Sequence, residues 1–179
     1  MEENMKKTIL CLFLIMTFLT GCACTSNNTS PQDNRFIEKS TVEKTTMTAN
    51  IPNANIGDSI QIKINLAIKE GEKAGGVQFD LVYDSNVLEF APYDNTDDYF
   101  SAQLASYAIH DLNPSEGKIS FIAADLTFKD QIEGTSDIIF VPFKVKGTLS
   151  EASLSFENVE ILDENVQQLN YDLKINLNN

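Results

Sequence analysis

Apolar and polar residues alternate with a period of two through much of the chain after position 45, a pattern that predicts β-strands with one buried face. In the segment 59–67, Ile60, Ile62 and Ile64 alternate with polar residues. Further strands are predicted at 46–51, 76–83, 118–125, 138–146, 153–163 and 169–177. Turn-forming residues lie between these segments. Many short strands joined by turns indicate an all-β fold, namely a β-sandwich.

The segment 74–90 has the clearest combination of strand and turn. Its predicted buried side chains are those of Val77, Phe79, Leu81 and Tyr83, while Gln78 and Asp80 point to the opposite side. The following Asp84-Ser85-Asn86 predicts a turn, because Asp and Asn side chains hydrogen-bond nearby backbone groups. We therefore place this segment at the centre of the fold.

Several local patterns predict irregular features. The segment 100–109 fits a helix or a strand, and turns are predicted at 113–117 and 134–137. Pro142 indicates a strand edge or a bulge, since proline cannot donate to a β-ladder. The alternation changes phase near Glu157-Asn158, which predicts a β-bulge.

The N-terminus resembles a bacterial lipoprotein signal. Lys6-Lys7 precedes the apolar segment 8–19, and Leu19-Thr20-Gly21-Cys22 follows it. The apolar segment is shorter than the roughly 20 residues that span a bilayer. In lipoproteins the cysteine of this motif receives a diacylglyceryl group, and a peptidase cleaves before it. An ordinary secretory signal or a buried helix is the alternative, and either Met1 or Met5 can be the initiator.

This resemblance implies three regions. Residues 1–21 form a lipoprotein signal peptide, residues 22–45 a lipid-anchored flexible linker, and residues 46–179 the folded domain. The linker is poor in apolar residues, so burial would not offset the entropy of ordering it. We expect an extracytoplasmic protein, anchored to the bacterial membrane by lipid at Cys22.

Composition excludes several functions. The formal net charge is −13, which disfavours binding to nucleic acid. Cys11, Cys22 and Cys24 all lie near the N-terminus, so the domain contains no disulfide and no cysteine-based zinc site. The single histidine, His110, makes a catalytic triad or a histidine-rich metal site implausible. We therefore predict a protein that is not an enzyme and has no cofactor.

One acidic loop is a weak candidate for calcium. Asp94, Asp97 and Asp98 lie close together in sequence and Glu89 precedes them. Carboxylate oxygens suit calcium, but an EF-hand pattern is absent, so a solvated loop is the alternative.

An aromatic cluster raises the alternative of polysaccharide binding. Tyr93, Tyr99, Phe100 and Tyr107 lie near one loop region, and sugar-binding modules with a sandwich fold use exposed aromatic platforms. The chain has no tryptophan. The competing interpretation is that these rings cap the core.

Four motifs of the domain follow one another in a characteristic order. They are FDLVYDSNVLEF at 79–90, GKISFIAAD at 117–125, FVPFKVKG at 140–147 and SLSFENVEILDEN at 153–165. Their order and spacing resemble those of cohesin domains, in which the last motif matches the penultimate strand and its turn. The likeness covers roughly residues 49–177, and Ser85 stands where the family usually has proline.

The resemblance implies a jelly-roll β-sandwich of about nine strands, an architecture similar to that of carbohydrate-binding modules. Cohesins bind dockerin modules, which carry their own calcium, through one flat sheet. The strands matching that sheet are 76–83, 100–109, 118–125 and 153–163. The side chains expected on this face are those of Gln78, Asp80, Tyr107, Ser120 and Ile122. Gly76, Gln78 and Ala124 replace polar residues that first-group cohesins use for binding.

The resulting hypothesis is a lipid-anchored, cell-surface module that binds a protein, such as a dockerin-bearing one, through one flat sheet. The alternative is a surface lipoprotein that binds carbohydrate or another solute. A structural spacer without a ligand is a third interpretation.

Overall fold

Two β-sheets lie face to face in the computed structural model, which describes residues 42–127 and 129–178. The nine strands of these residues are β1 Thr45–Ile51, β2 Ser59–Ala67, β3 Gly76–Tyr83, β4 Leu88–Phe90, β5 Ile109–Ser115, β6 Lys118–Ala124, β7 Thr135–Val145, β8 Leu154–Leu162 and β9 Tyr171–Leu177. The helical segments are a 3-10 helix at Thr96–Tyr99, the one-turn helix α1 at Ala102–Ala105 and a 3-10 helix at Glu151–Ser153. The prediction of an all-β sandwich of about nine strands is confirmed.

The strands form a five-stranded sheet in the order β4-β7-β2-β1-β9 and a four-stranded sheet in the order β5-β6-β3-β8. The first and last strands, β1 and β9, pair in parallel. The other strand pairs are antiparallel. Consecutive strands therefore often lie in different sheets, and most strand pairing is non-local in sequence.

The core lies between the two sheets and is built from the apolar face of each strand. Phe79 stacks on Phe121 with ring centroids 5.2 Å apart, and Phe156 meets Phe79 edge-on at 5.5 Å. From the other sheet, Ile62, Ile64 and Phe143 are fully buried. Burying each such side chain contributes about 1.5–3 kcal/mol. Alternation within each strand thus produces the core that the sequence predicts.

Three local predictions need correction. The segment 100–109 is not a face strand, because it contains α1 and only its last residue belongs to β5. Asn113, Pro114 and Ser115 lie in β5, so the turn is reduced to Glu116-Gly117, where Gly117 has a φ of +73° that glycine tolerates. The segment 135–137 likewise belongs to β7 rather than to a turn. In the second and third cases, strand pairing across the sheet extends the strand into residues that the sequence assigned to a turn.

Of two other irregular features, the bulge in β8 agrees with prediction. Pro142 does not, because it lies in β7, an inner strand between β4 and β2, and the irregular pairing of β7 is at Ile138. Gln78 lies opposite Glu160 and Asp80 opposite Glu157, so β8 has one extra residue there, and the predicted bulge is confirmed. Pro142 lies one residue beyond the part of β7 that pairs with β4, which ends at Phe143. Its missing N–H therefore costs no ladder bond within that pair.

The signal peptide, Cys22 and residues 22–41 of the predicted linker lie outside the described residues. Within 42–127 and 129–178, no helix is long and apolar enough to cross a membrane.

Candidate partner-binding face

The outward side of the four-stranded sheet presents one array of side chains, here called the outer face. Strand register sets its members in four rows across β5, β6, β3 and β8. These rows are Ile109, Ala124, Gly76 and Leu162; Asp111, Ile122, Gln78 and Glu160; Asn113, Ser120, Asp80 and Glu157; and Ser115, Lys118, Val82 and Ser155. Four of the five predicted binding residues, Gln78, Asp80, Ser120 and Ile122, therefore share this face. Their role in binding stays a prediction.

A carboxylate lies at the centre of the outer face. Asp80 is only 7% exposed, although its side chain points away from the core. Asn158 Nδ2 donates to Asp80 Oδ2 at 2.6 Å, and Lys118 Nζ lies 3.2 Å from the same oxygen. These two partners come from the neighbouring strands β8 and β6, so the carboxylate joins three strands.

Opposing effects act on the Asp80 carboxyl. Burial raises its pKa, because desolvation disfavours the charged form. Hydrogen bonds from Ser120, Asn158 and Lys118 stabilise the anion and together outweigh burial, so the pKa is lowered overall. Asp80 is therefore ionised at neutral pH and forms an ion pair with Lys118 at the centre of the outer face.

Asn158 reaches Asp80 because of the bulge in β8. Its φ is +49°, in the left-handed region that asparagine tolerates better than most residues. The bulge turns the amide towards β3, and the Asp80 carboxylate accepts it. Asn158 and Lys118 are thus functional candidates that sequence reasoning did not select. The sequence signal for Asn158 was the predicted bulge. The signal for Lys118 was its alternation with Ser120 and Ile122, which places all three side chains on one side of the strand.

The row next to that of Asp80, which includes Gln78, contains an unsatisfied polar atom. Gln78 Oε1 is buried and has no hydrogen-bond partner among the described residues. Its neighbours across the sheet are Ile122 and Glu160. A buried acceptor without a donor costs roughly 1–3 kcal/mol. Because the atom is covered, a donor on a partner could reach it only after rotation of the Gln78 side chain.

The outer face is acidic on balance. Its rows contain Asp80, Asp111, Glu157 and Glu160 but only one cation, Lys118. Apolar contact area is supplied by the half-buried residues Ile109, Ile122, Val82 and Leu162. The combination suits a partner surface with cationic groups around an apolar centre.

Tyr107 does not lie on the outer face, and the prediction that placed it there is corrected. Tyr107 is 4% exposed and packs among the buried apolar residues of the core. Its phenol donates to the carbonyl oxygen of Asp130, in a loop whose backbone N–H groups bond to the buried carboxylate of Asp125. The helical turn at 102–105 carries Tyr107 inward before β5 begins. Asp125 is likewise occupied within its own loop.

The acidic loop contacts histidine instead of forming an obvious metal site. His110 Nε2 lies 2.9 Å from Asp97 Oδ1, and Nδ1 lies 2.9 Å from the carbonyl oxygen of Tyr107. Asp94 and Asp98 are exposed. Within 42–127 and 129–178, no group of three or more acidic, His or Cys side chains is arranged to hold a metal ion.

Both hydrogen-bond acceptors of His110, the Tyr107 carbonyl oxygen and the Asp97 carboxylate, favour the protonated imidazole. The hydrogen bond to Tyr107, followed by that to Asp97, raises the pKa of His110. The neutral ring has only one N–H, so it cannot donate to both oxygens.

The aromatic residues considered as a sugar platform lie mostly inside the molecule. Tyr99, Phe100 and Tyr107 belong to the core cluster. Tyr93 is partly buried, and its backbone N–H donates to the Tyr99 hydroxyl at 2.7 Å. Their position agrees with the interpretation that these rings cap the core.

Comparison with known proteins agrees with the two-sheet fold. A family model described as "Cohesin domain" matches residues 45–176. Among curated protein sequences, none is significantly similar to this chain.

Solved cohesin structures have the same fold. A non-cellulosomal cohesin from Archaeoglobus fulgidus is 21% identical, with a TM-score of 0.57, covering 76% of this chain and 92% of its own. A Clostridium thermocellum cohesin solved in complex with a dockerin is 13% identical, with a TM-score of 0.59, covering 75% of this chain and 99% of its own. A type I cohesin from Pseudobacteroides cellulosolvens is 22% identical, with a TM-score of 0.55, covering 74% of this chain and 88% of its own. At these identities the structural likeness establishes the fold alone.

Proposed function

Because the chain belongs to the cohesin domain family, whose members are non-catalytic protein-interaction modules, we propose that it binds a dockerin-bearing or other extracellular protein through the outer face. The observation that carries the proposal is the outer face itself, four rows of side chains that no other strand of the described residues covers. Similar folds solved with a bound dockerin support the class of partner.

The chemistry of the outer face narrows the partner. The exposed carboxylates of Asp111, Glu157 and Glu160 favour cationic side chains on the partner. Rotation of the Gln78 side chain would let its buried Oε1 accept a hydrogen bond from the partner. Ile122 supplies apolar contact beside it. A dockerin surface with a basic rim and an apolar centre meets these requirements.

A titration with dockerin modules encoded by the same genome tests the proposal. Ile122→Asp places a charge in the middle of the outer face and should weaken binding at least about tenfold, since central contacts dominate interface energies. Thr48→Asp is the matched control, because Thr48 is a half-buried residue on the outward side of β1 in the opposite sheet. Binding should change less than about twofold in the control, as expected for a site outside the interface.

Two results would contradict the proposal. One is the absence of binding by every dockerin and by other secreted proteins. The other is a partner whose affinity is lost in Thr48→Asp and kept in Ile122→Asp. A polysaccharide that binds in place of any protein would favour the alternative function.

The lipid anchor is a second part of the proposed function. Its support is the apolar segment 8–19 followed by Leu-Thr-Gly-Cys at 19–22. Acylation of Cys22 would tether the domain to the outside of the membrane, where an extracellular partner is accessible. Cys22→Ala should release the protein or leave its precursor uncleaved, whereas Cys24→Ala should have no effect. Normal processing and membrane retention of Cys22→Ala would refute the anchor.

A further inference from the structure

The last strand, β9, has one paired edge and one open edge. It pairs in parallel with β1 along Tyr171–Leu177, and no other strand in the described part of the chain joins the sheet beyond it. The strand contains no proline, and Leu173 at its middle is 41% exposed. An open edge with apolar side chains favours pairing with another strand.

The direction of the backbone groups follows from one hydrogen bond at the end of the strand. The N–H of Asn178 donates to the carbonyl oxygen of Ile51 in β1 at 2.9 Å. Backbone groups alternate sides along a strand, so even-numbered residues of β9 face β1. Tyr171, Leu173 and Ile175 therefore direct their N–H and C=O groups to the open edge.

The charges of β9 match themselves in one antiparallel register. If Leu173 of one copy lies opposite Leu173 of a second, Asp172 lies opposite Lys174 of the other copy, and the reverse holds by symmetry. Tyr171 then lies opposite Ile175. Leu173 and Tyr171 pairs fall at hydrogen-bonded positions, since their backbone groups face the open edge. The charged pairs fall at non-hydrogen-bonded positions, where side chains approach more closely.

The two charged residues of β9 differ in the partners that they already have. Lys174 is exposed and makes no ion pair or hydrogen bond with another described residue. Asp172 forms an ion pair with Lys44, the residue before β1, but its side chain stays 52% exposed, so a lysine of a second copy can share the carboxylate. Centring the pair on Ile175 instead would set Lys174 opposite Asn176 and lose both charge pairs.

We propose that two copies of this chain associate through β9, in the antiparallel register centred on Leu173, to form a continuous sheet across the two five-stranded sheets. The proposal does not depend on dockerin binding, because the outer face belongs to the other sheet. One strand pair buries less area than a standard interface, so we expect a dissociation constant on the order of 100 μM. Tethering to a membrane would raise the local concentration of copies.

Sedimentation equilibrium of the full chain in density-matched detergent tests this register. Asp172→Lys and Lys174→Asp each set like charges opposite one another in both pairs, and should weaken self-association at least about tenfold. An equimolar mixture of the two variants restores opposite charges and should associate within about threefold of the wild type. Lys144→Asp is the matched control, because Lys144 is an exposed lysine on the outward side of β7 in the same sheet and forms no ion pair with another described residue.

A backbone variant tests the hydrogen bonds separately. Leu173→Pro removes an N–H that faces the open edge without removing a bond to β1, and should abolish self-association. The variants should bind a dockerin as the wild type does, which separates this proposal from the proposed function. A wild-type chain that stays monomeric at about 1 mM would overturn the proposal. Self-association unaffected by the β9 charges would also overturn it.

Discussion

The bulge in β8 offers a quantitative test of how the outer face is held together. Asn158 combines a φ of +49° with a 2.6 Å hydrogen bond to the buried carboxylate of Asp80. Asn158→Gly removes the hydrogen bond and keeps a residue that tolerates this φ. Asn158→Ala removes the bond and adds the cost of a left-handed alanine. Comparing the two variants separates the side-chain contact from the backbone conformation.

The expected magnitudes follow from these two contributions. A hydrogen bond to a charged group contributes about 1.5–3 kcal/mol, and exposure of Asn158 favours the lower end, so Asn158→Gly should lower the free energy of unfolding by about 1–2 kcal/mol. Asn158→Ala should cost about 1–2 kcal/mol more than the glycine variant. Asn113→Ala, at an exposed position of β5 in the row of Asp80, is the control and should change stability by less than about 0.5 kcal/mol.

Urea unfolding followed by far-UV circular dichroism measures these differences at neutral and acidic pH. The lowered pKa of Asp80 stabilises the fold above the pKa of the unfolded chain, and this contribution is lost as pH falls through the folded value. The difference in free energy of unfolding between the wild type and Asn158→Gly should therefore become smaller at acidic pH. Equal stability of the glycine and alanine variants would show that the φ imposes no cost. A glycine variant as stable as the wild type would show that the Asn158–Asp80 bond contributes nothing.

Three further predictions concern other parts of the domain. The single histidine, His110, should titrate in an NMR experiment with a pKa above the ordinary value, and Asp97→Asn should lower that pKa. Protonation of His110 stabilises the fold fully below the pKa of the unfolded chain, and this stabilisation is lost as pH rises through the raised folded pKa. A His110 titration that is unaffected by Asp97→Asn would contradict this prediction. Val166 has a φ of +60°, which strains a β-branched residue. Val166→Gly should therefore leave the stability measured by thermal unfolding unchanged or raise it by up to about 1 kcal/mol. A clear loss of stability in this variant would contradict the prediction. Phe79→Ala should lower the free energy of unfolding by about 3–5 kcal/mol in urea, since the ring is fully buried between two other phenylalanines, and a loss below about 1 kcal/mol would refute its central place in the core.

Much of the strand structure could be predicted because it depends on residues close in sequence. Alternation over 59–67 predicted β2 with its observed bounds, and the turn after Tyr83 formed as expected, with Asp84 Oδ1 accepting the N–H of Asn86. The change of phase near Asn158 predicted the bulge. Each of these features is a local response of the backbone to side-chain polarity.

The composition of the outer face depended on contacts between distant residues. Parity along β3 and β6 was enough to place Gln78, Asp80, Ser120 and Ile122 on one side of the sheet. It could not place Tyr107, because its burial depends on a hydrogen bond to Asp130, 23 positions away, and on the helical turn before β5.

By itself, the sequence determined the all-β class, most strands and the side of the sheet on which the predicted polar residues lie, because alternation acts within a single strand. Only the tertiary structure decided that Asp80 meets Asn158, 78 positions later, and Lys118, 38 positions later. It alone set the parallel pairing of β1 with β9, which leaves one edge of the last strand open. These features depend on which strands become neighbours, and strand pairing is selected by burial of the whole core rather than by any local pattern.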